Sequence, residues 1–218
     1  MRIFVRDKEF YRQAAAIAVP ISLQSMITIG VNLMDNIMVG SLGEVVLSGT
    51  SLANQFVSIY HICCMGIGMG ASVMTARFWG MKDMEALKKT VTLMLRFCVG
   101  LAALFMLPAI FLPAWLMRIY TPDGSVISQG ILYYRWIWPC FVLQGLSLTC
   151  TIVLRSVGQV RLPLYSSIGA FFVNIFFNYI FIFGKLGAPR MEIQGAALGT
   201  LIARAFEFFV ICGYFFLK

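Results

Sequence analysis

Residues 162–184 read LPLYSSIGAFFVNIFFNYIFIFG, a run of twenty-three residues without a single charge. A helix that rises about 1.5 Å per residue can cross the ~30 Å hydrocarbon core of a bilayer with a run of this length. Five further apolar, nearly charge-free runs lie at about 14–39, 47–76, 93–117, 128–154 and 194–217. The sequence therefore predicts an all-α integral membrane protein, with one bundle of six transmembrane helices occupying residues 1–218.

The composition excludes a water-soluble globular domain. Of 218 residues, 60% are apolar and only 12% are charged, and the mean hydropathy is +0.86, whereas about a quarter of the residues of a typical soluble domain are charged. The six cysteines all lie inside the apolar runs and have no C-x-x-C spacing. We interpret them as small buried packing residues and not as disulfides or metal ligands.

The distribution of Lys and Arg predicts the orientation. The N-terminal segment, the 77–90 and 155–161 loops and the C-terminus together carry eleven basic residues, and the loops on the opposite side carry three. Because basic loops remain in the cytoplasm, both termini are expected there, in a multi-pass protein of the cytoplasmic (inner) membrane. The net charge of +8 is explained in the same way, so no nucleic-acid partner is expected.

Polar residues recur at helical spacing inside four of the six predicted spans. A polar side chain within a span normally faces the interior of the bundle or a water-filled cavity. The residues that we predict to line such a cavity or its ion site are Gln24, Thr28, Asn32, Asp35 and Asn36 in the first span, Gln55 in the second, Asn174 and Asn178 in the fifth, and Thr200, Arg204 and Glu207 in the sixth.

Several of these residues are expected at one depth, in the outer leaflet. Counting along each helix places Asp35, Asn178, Thr200 and the tyrosines Tyr133 and Tyr134 about 6–9 Å below the outer helix ends. These groups offer oxygen ligands for a hard cation such as Na⁺, and one carboxylate that could instead take a proton. Two simpler interpretations stay open: the amides and the hydroxyl form only hydrogen bonds between helices, or Asp35 is a hydrated helix end.

Other features of the spans predict packing and bending. Arg204 and Glu207 are spaced to form an ion pair with each other, which is as good an interpretation as a role in substrate binding. Gly66 and Gly70 have the G-x-x-x-G spacing of close helix contacts. Pro20 inside the first span is expected to kink it, and Pro108, Pro113 and Pro139 are candidates for kinks in the third and fourth spans.

Four stretches, distributed in order along most of the length of the chain, resemble a known transporter family. They are DNIMVGSLGEVVLSGTSLANQ (35–55, with Pro20 upstream), GIGMGASVMTARFWGMKD (66–83), LRSVGQVRLPLYSSIGAFFVNIFFNYIFIFG (154–184) and QGAALGTLIAR (194–204). In this order they resemble the N-terminal six-helix lobe of the multidrug and toxic compound extrusion (MATE) transporters. Members of that family have two such lobes, so the resemblance implies that the second lobe is absent from this chain.

The resemblance also implies roles for individual residues. Asp35 matches the helix-1 carboxylate implicated in cation or proton coupling, Asn174, Asn178 and Thr200 fall where other site members lie, and Tyr133 or Tyr134 matches a helix-4 tyrosine. Some relatives have an aspartate at the position of Asn178, so this site carries one negative charge instead of two. That difference favours weaker Na⁺ binding or coupling to protons.

Three functional hypotheses follow. The leading one is a lobe of an antiporter that exports cationic or amphipathic small molecules by alternating access, coupled to Na⁺ or H⁺, with no other cofactor and no catalysis. Its expected partners are the bilayer and a second six-helix lobe, from the missing half or another chain. One alternative is a flippase for lipid-linked precursors. Basic residues are expected to line the cavity of a flippase, and only Arg204 is a clear candidate for such a residue. The other alternative is a non-transporting membrane subunit whose polar residues only join helices.

Overall fold

The protein folds as eight α-helices, and the structure, a computed structural model, describes residues 8–217. The helices are α1 (Lys8–Gly40), α2 (Glu44–Gly80), α3 (Met84–Phe111), α4 (Pro113–Tyr120), α5 (Gly124–Ile137), α6 (Cys140–Ser156), α7 (Arg161–Phe183) and α8 (Ile193–Leu217). No strand occurs between residues 8 and 217. Five helices are long and apolar enough to cross a membrane, and α5 with α6 forms a bent sixth. The prediction of an all-α membrane protein is confirmed.

Two of the predicted spans are broken at prolines. The predicted span 128–154 consists of α5 and α6, which meet at an angle of 58° where Pro139 precedes the first residue of α6. The predicted span 93–117 ends early, because α3 stops at Phe111 and Pro113 begins the short α4. A proline cannot donate a backbone hydrogen bond, so a break at these positions costs little. By contrast, α1 is helical through Pro20, and a kink there stays a prediction.

The predicted 77–90 loop is wrong in extent. Helix α2 continues to Gly80 and α3 begins at Met84, so only residues 81–83 connect them. The side chain of Asp83 caps α3 by accepting a hydrogen bond of 3.0 Å from the backbone nitrogen of Ala86. This cap satisfies one of the free N–H groups at the helix start. The basic residues assigned to the loop mostly lie on helix ends.

The core is formed where α2 packs against α3, α5 and α6. Tyr60 of α2 is fully buried, and its hydroxyl donates a hydrogen bond of 2.6 Å to the backbone oxygen of Phe141. Phe56 and Phe105 complete an aromatic cluster around these two rings. This cluster fixes α2 against the start of α6, directly after the bend at Pro139.

The predicted G-x-x-x-G contact of Gly66 and Gly70 is wrong. Both glycines are exposed, and a Cβ added at either one would meet nothing within 4 Å. The close approach occurs instead on α8, where a Cβ at Gly195 would lie 2.6 Å from the backbone of Phe181 and a Cβ at Gly199 would overlap Asn178. Small residues at this spacing let α8 lie directly against α7.

The cysteines mostly behave as predicted. Five of the six are buried and all are free thiols, while Cys63 is exposed. Two pairs of thiols lie in contact between neighbouring helices, with Sγ–Sγ distances of 4.0 Å between Cys64 and Cys98 and 3.6 Å between Cys150 and Cys212. These thiols fill space between helices, as small apolar residues do.

Candidate functional site

A cavity of about 610 Å³ opens between α1, α2 and the helices α5 to α8. Its wall contains nearly every polar residue predicted from the sequence. The predicted residues that line it are Gln24, Thr28, Asn32, Asp35, Asn36, Gln55, Tyr133, Asn174, Thr200, Arg204 and Glu207. The polar stripes of separate helices therefore face one common space, as the cost of exposing polar groups to lipid requires.

Asp35 is bound to the amide of Asn178. Asn178 Nδ2 donates a hydrogen bond of 2.5 Å to Asp35 Oδ1 and a second of 3.2 Å to Asn174 Oδ1. Asn174 and Asn178 are one turn apart on α7 and both are fully buried. The Asn178 amide therefore links Asp35 of α1 to α7, and its two N–H groups are both used in hydrogen bonds to side-chain oxygens.

The rest of the Asn178 amide faces α8. Asn178 Oδ1 is buried and has no hydrogen-bond partner, and the same holds for Asn174 Nδ2. A Cβ at Gly199 would overlap Asn178 Oδ1, so this glycine makes the room in which the amide lies. Unsatisfied buried polar atoms are uncommon and costly, and here both belong to residues of the predicted ion site.

The two candidate tyrosines have different surroundings. Tyr133 lines the cavity, and its hydroxyl donates a hydrogen bond of 2.9 Å to Asn54 Oδ1. The Tyr134 hydroxyl instead donates to the backbone oxygen of Ala53 at 3.2 Å, and its ring packs edge-on against Phe56 in the core. Because adjacent residues on a helix point in different directions, only Tyr133 reaches the cavity. Assigning Tyr134 to the ion site was wrong.

Arg204 and Glu207 form the ion pair that their spacing predicts. Arg204 Nη1 lies 2.9 Å from Glu207 Oε2, and the two side chains are 29% and 13% exposed. Both line the cavity, so the pair faces the same space as Asp35. A pair so little exposed is screened less by solvent than a surface pair, and it keeps both charges near the cavity.

A second polar cluster lies about three turns from Asp35 along α1. Gln24 Nε2 donates a hydrogen bond of 2.8 Å to Ser167 Oγ, and Arg155 Nη2 donates one of 2.5 Å to Gln24 Oε1. Ser167 Oγ in turn lies 3.5 Å from Glu207 Oε1. The cluster joins α1, α6, α7 and α8 at one level.

Helix α6 forms a wall of the cavity that was not predicted from the sequence. Arg155 was predicted to lie in a loop, but it lies in the last turn of α6, is only partly exposed and lines the cavity. A signal was present, because polar residues recur along α6 at spacings of three and four. The missed lining residues of this helix are Gln144, Ser147, Thr151 and Arg155.

The donor set near Asp35 suits a proton or a hard monovalent cation better than a transition metal. Within residues 8–217 no group of three or more His, Cys, Asp or Glu could hold a metal ion. Among the predicted ligands, Asp35, Asn174 and Thr200 have oxygens and line the cavity, whereas Asn178 Oδ1 is buried against Gly199 of α8. Oxygen ligands of this kind are typical of hard cations.

A family model described as MatE matches residues 20–180 of the chain. The chain belongs to the MATE family. Among curated proteins, the probable multidrug resistance protein NorM of Thermotoga maritima is 25% identical over 199 residues, covering 90% of this chain and 42% of NorM. The probable multidrug resistance protein YoeA of Bacillus subtilis is 31% identical over 152 residues, covering 69% of this chain and 32% of YoeA.

A solved structure confirms the fold of this MATE chain. A multidrug resistance MATE family transporter of the MOP superfamily, in an outward-facing conformation, matches with a TM-score of 0.79 at 25% identity. The match covers 94% of this chain and 45% of that one. The chain therefore spans less than half the length of these relatives. It is a multi-pass membrane protein with the fold of one part of a MATE transporter.

Proposed function

We propose that this chain forms the N-terminal lobe of a cation-coupled exporter of cationic or amphipathic small molecules. The observation that carries the proposal is the position of Asp35, which is held by Asn178 at the wall of a polar cavity in the bundle. The relatives named above are described as multidrug resistance proteins, which supports this class of substrate. Transport makes and breaks no covalent bond, so no enzymatic activity is proposed.

The proposed mechanism is competition for the charge of Asp35. An ionised Asp35 attracts a cationic substrate, and a bound proton or Na⁺ removes that attraction. By linkage, the substrate must then weaken binding of the coupling ion by the same factor. With a second six-helix lobe closing the cavity, rocking of the two lobes would expose Asp35 to each side of the membrane in turn.

The hydrogen bonds around Asp35 favour a proton as the coupling ion. The Asn178 amide already donates to one oxygen of Asp35 and to the side-chain oxygen of Asn174. A Na⁺ ion placed between these oxygens would have to displace the amide hydrogens, because a donor group cannot coordinate a cation. A proton adds to the carboxylate without that rearrangement.

The flippase hypothesis gains one basic residue but not a basic cavity. Arg155 joins Arg204 on the wall, and Asp35 and Glu207 supply two carboxylates to the same space. The formal charges therefore balance, whereas a site for a polyanionic lipid headgroup would carry an excess of Lys and Arg. We therefore keep drug export as the proposed function.

Binding of tetraphenylphosphonium tests the proposal. This lipophilic cation has a permanent charge, and its affinity can be measured with the purified chain in lipid nanodiscs. Asp35→Asn is expected to weaken binding about tenfold or more, because it removes the attraction between the carboxylate and the phosphonium charge. Glu44→Gln, which removes an exposed carboxylate at the start of α2, should have no effect. Equal affinity in wild type and Asp35→Asn would contradict the proposal and favour a non-transporting subunit.

A further inference from the structure

Arg155 is a cavity-lining cation without a counter-ion. The acceptor that the structure gives it is the neutral side-chain oxygen of Gln24, and its Nε atom is buried without a hydrogen-bond partner. Within residues 8–217 it takes part in no salt bridge. A partly buried guanidinium with a free donor is costly unless an anion or water satisfies it.

The charges around Arg155 leave one positive unit in excess. The nearest carboxylate of the cluster is Glu207, which is already paired with Arg204 at 2.9 Å. Arg155 reaches Glu207 only through two neutral residues, Gln24 and Ser167. Two guanidiniums therefore share one carboxylate at this end of the cavity.

The neighbouring side chains fix the direction of the Arg155 head group. Gln24 Nε2 donates a hydrogen bond to Ser167 Oγ. The other end of the same amide, Gln24 Oε1, therefore faces Arg155 and accepts a hydrogen bond from it. Gln24 and Ser167 are themselves buried, which restricts their rotamers. Arg155 is thus held at the cavity wall before any ligand arrives, and preorganised charges bind at a smaller entropic cost.

The positive and negative ends of the cavity are separated along α1. Asp35 follows Gln24 by about three helical turns, a rise of about 16 Å, and the partners of these residues on α7, Asn178 and Ser167, have the same separation. Both ends line one continuous cavity. An extended ligand could therefore contact Asp35 and Arg155 at the same time.

We propose that Arg155 forms an anion subsite that binds the carboxylate of an elongated zwitterionic substrate, whose cationic group lies at Asp35. The inference extends the proposed function, because it rests on Asp35 as the cation-binding end. It narrows the substrate class from cations in general to molecules with a carboxylate about 16 Å from the ammonium group. A guanidinium suits a carboxylate because it can donate two parallel hydrogen bonds.

A matched pair of probes tests the subsite with the purified chain in nanodiscs. Aminododecanoate is an extended zwitterion, and its methyl ester carries the same ammonium group without the carboxylate. Calorimetry is expected to show about tenfold tighter binding of the zwitterion to the wild-type chain, the scale of a charge-assisted hydrogen bond. Aminohexanoate, which is too short to reach both ends, should show no preference over its own ester.

Substitutions locate the preference. Arg155→Gln should abolish the preference for the zwitterion over its ester, while Arg161→Gln, at an exposed arginine outside the cavity, should preserve it. Glu207→Gln, which releases Arg204 from its partner, should increase the preference and provides a second test if Arg155→Gln fails to fold. A zwitterion preference that is unchanged in a folded Arg155→Gln, or that is absent from wild type, would overturn the subsite, as would an unchanged preference in Glu207→Gln where Arg155→Gln does not fold.

The two proposals fail in different ways. If Asp35→Asn binds the ester as tightly as wild type, the cation-binding end proposed above is wrong. If Asp35→Asn weakens both probes but Arg155→Gln keeps the zwitterion preference, only the anion subsite is wrong.

Discussion

Asn178 Nδ2 donates a hydrogen bond of 2.5 Å to Asp35 Oδ1 across 143 residues of sequence. The bond between Gln24 and Ser167 joins the same two helices with the same offset of 143 residues. Helices α1 and α7 therefore run in parallel and are joined by two polar contacts about three turns apart. One contact lies at the Asp35 end of the cavity and the other at the Arg155 end. The register of α1 against α7 therefore determines the positions of both charged ends.

Gly199→Ala should disrupt the contact between Asp35 and Asn178. The new Cβ would overlap Asn178 Oδ1 and approach the Asn178 backbone nitrogen to 3.0 Å. Overpacking of this kind costs about 1–3 kcal/mol, and the displaced amide should also weaken tetraphenylphosphonium binding. Gly213→Ala on the same helix, where a Cβ meets nothing within 4 Å, is the matched control. A thermal unfolding midpoint and an affinity equal to those of the control would contradict the proposed crowding.

Asn178→Asp should make cation binding depend more strongly on Na⁺. The substitution adds a second carboxylate beside Asp35 and removes the amide hydrogens that occupy the acceptor oxygens. Two carboxylates attract a hard cation more strongly than one. The measurement is the Na⁺ concentration that half-displaces tetraphenylphosphonium, which should fall in the variant. If that concentration does not change, residue 178 is not part of the ion site.

The orientation predicted from the basic residues can be tested with single cysteines in a background free of other cysteines. Lys88→Cys, at an exposed position near the start of α3, should react with a membrane-impermeant maleimide only from the cytoplasmic side. Pro122→Cys, at an exposed position between α4 and α5, should react only from outside. The opposite pattern would reverse the positive-inside assignment.

Much of the cavity could be predicted from polar spacing along single helices. The stripe on α1 that contains Asp35 faces the cavity, as does Asn174 on α7, while Asn178 lies buried behind them and contacts Asp35, because a polar side chain in a membrane span is rarely exposed to lipid. Arg155 was not predicted to line the cavity, because a basic residue near the end of a span is usually assigned to a loop. Its position nevertheless continues the polar spacing of α6. Periodicity also could not tell which of Tyr133 and Tyr134 faces inward.

Packing between helices was predicted less well, because it depends on the partner surface. Gly66 and Gly70 have the motif of a close contact but lie on an exposed face, whereas Gly195 and Gly199 have the same spacing and touch α7. The sequence contains both motifs and does not say which one meets another helix. The break at Pro139 was predictable, because proline removes a backbone hydrogen bond.

In the mechanism that we propose, a substrate cation and the coupling ion compete for the charge of Asp35. The most direct test is the affinity of tetraphenylphosphonium for the chain in nanodiscs, measured against pH and against Na⁺ in wild type and Asp35→Asn. The charge of the probe does not titrate, so pH acts only on the protein.

Glu207→Gln and His61→Gln, which alter two other titratable side chains of the cavity wall, serve as controls. Wild type and both controls should bind more weakly as pH falls or Na⁺ rises, because a neutralised Asp35 no longer attracts the probe, and Asp35→Asn should bind weakly and independently of both. If Asp35→Asn keeps the wild-type dependence on pH and Na⁺, Asp35 is not the coupling residue.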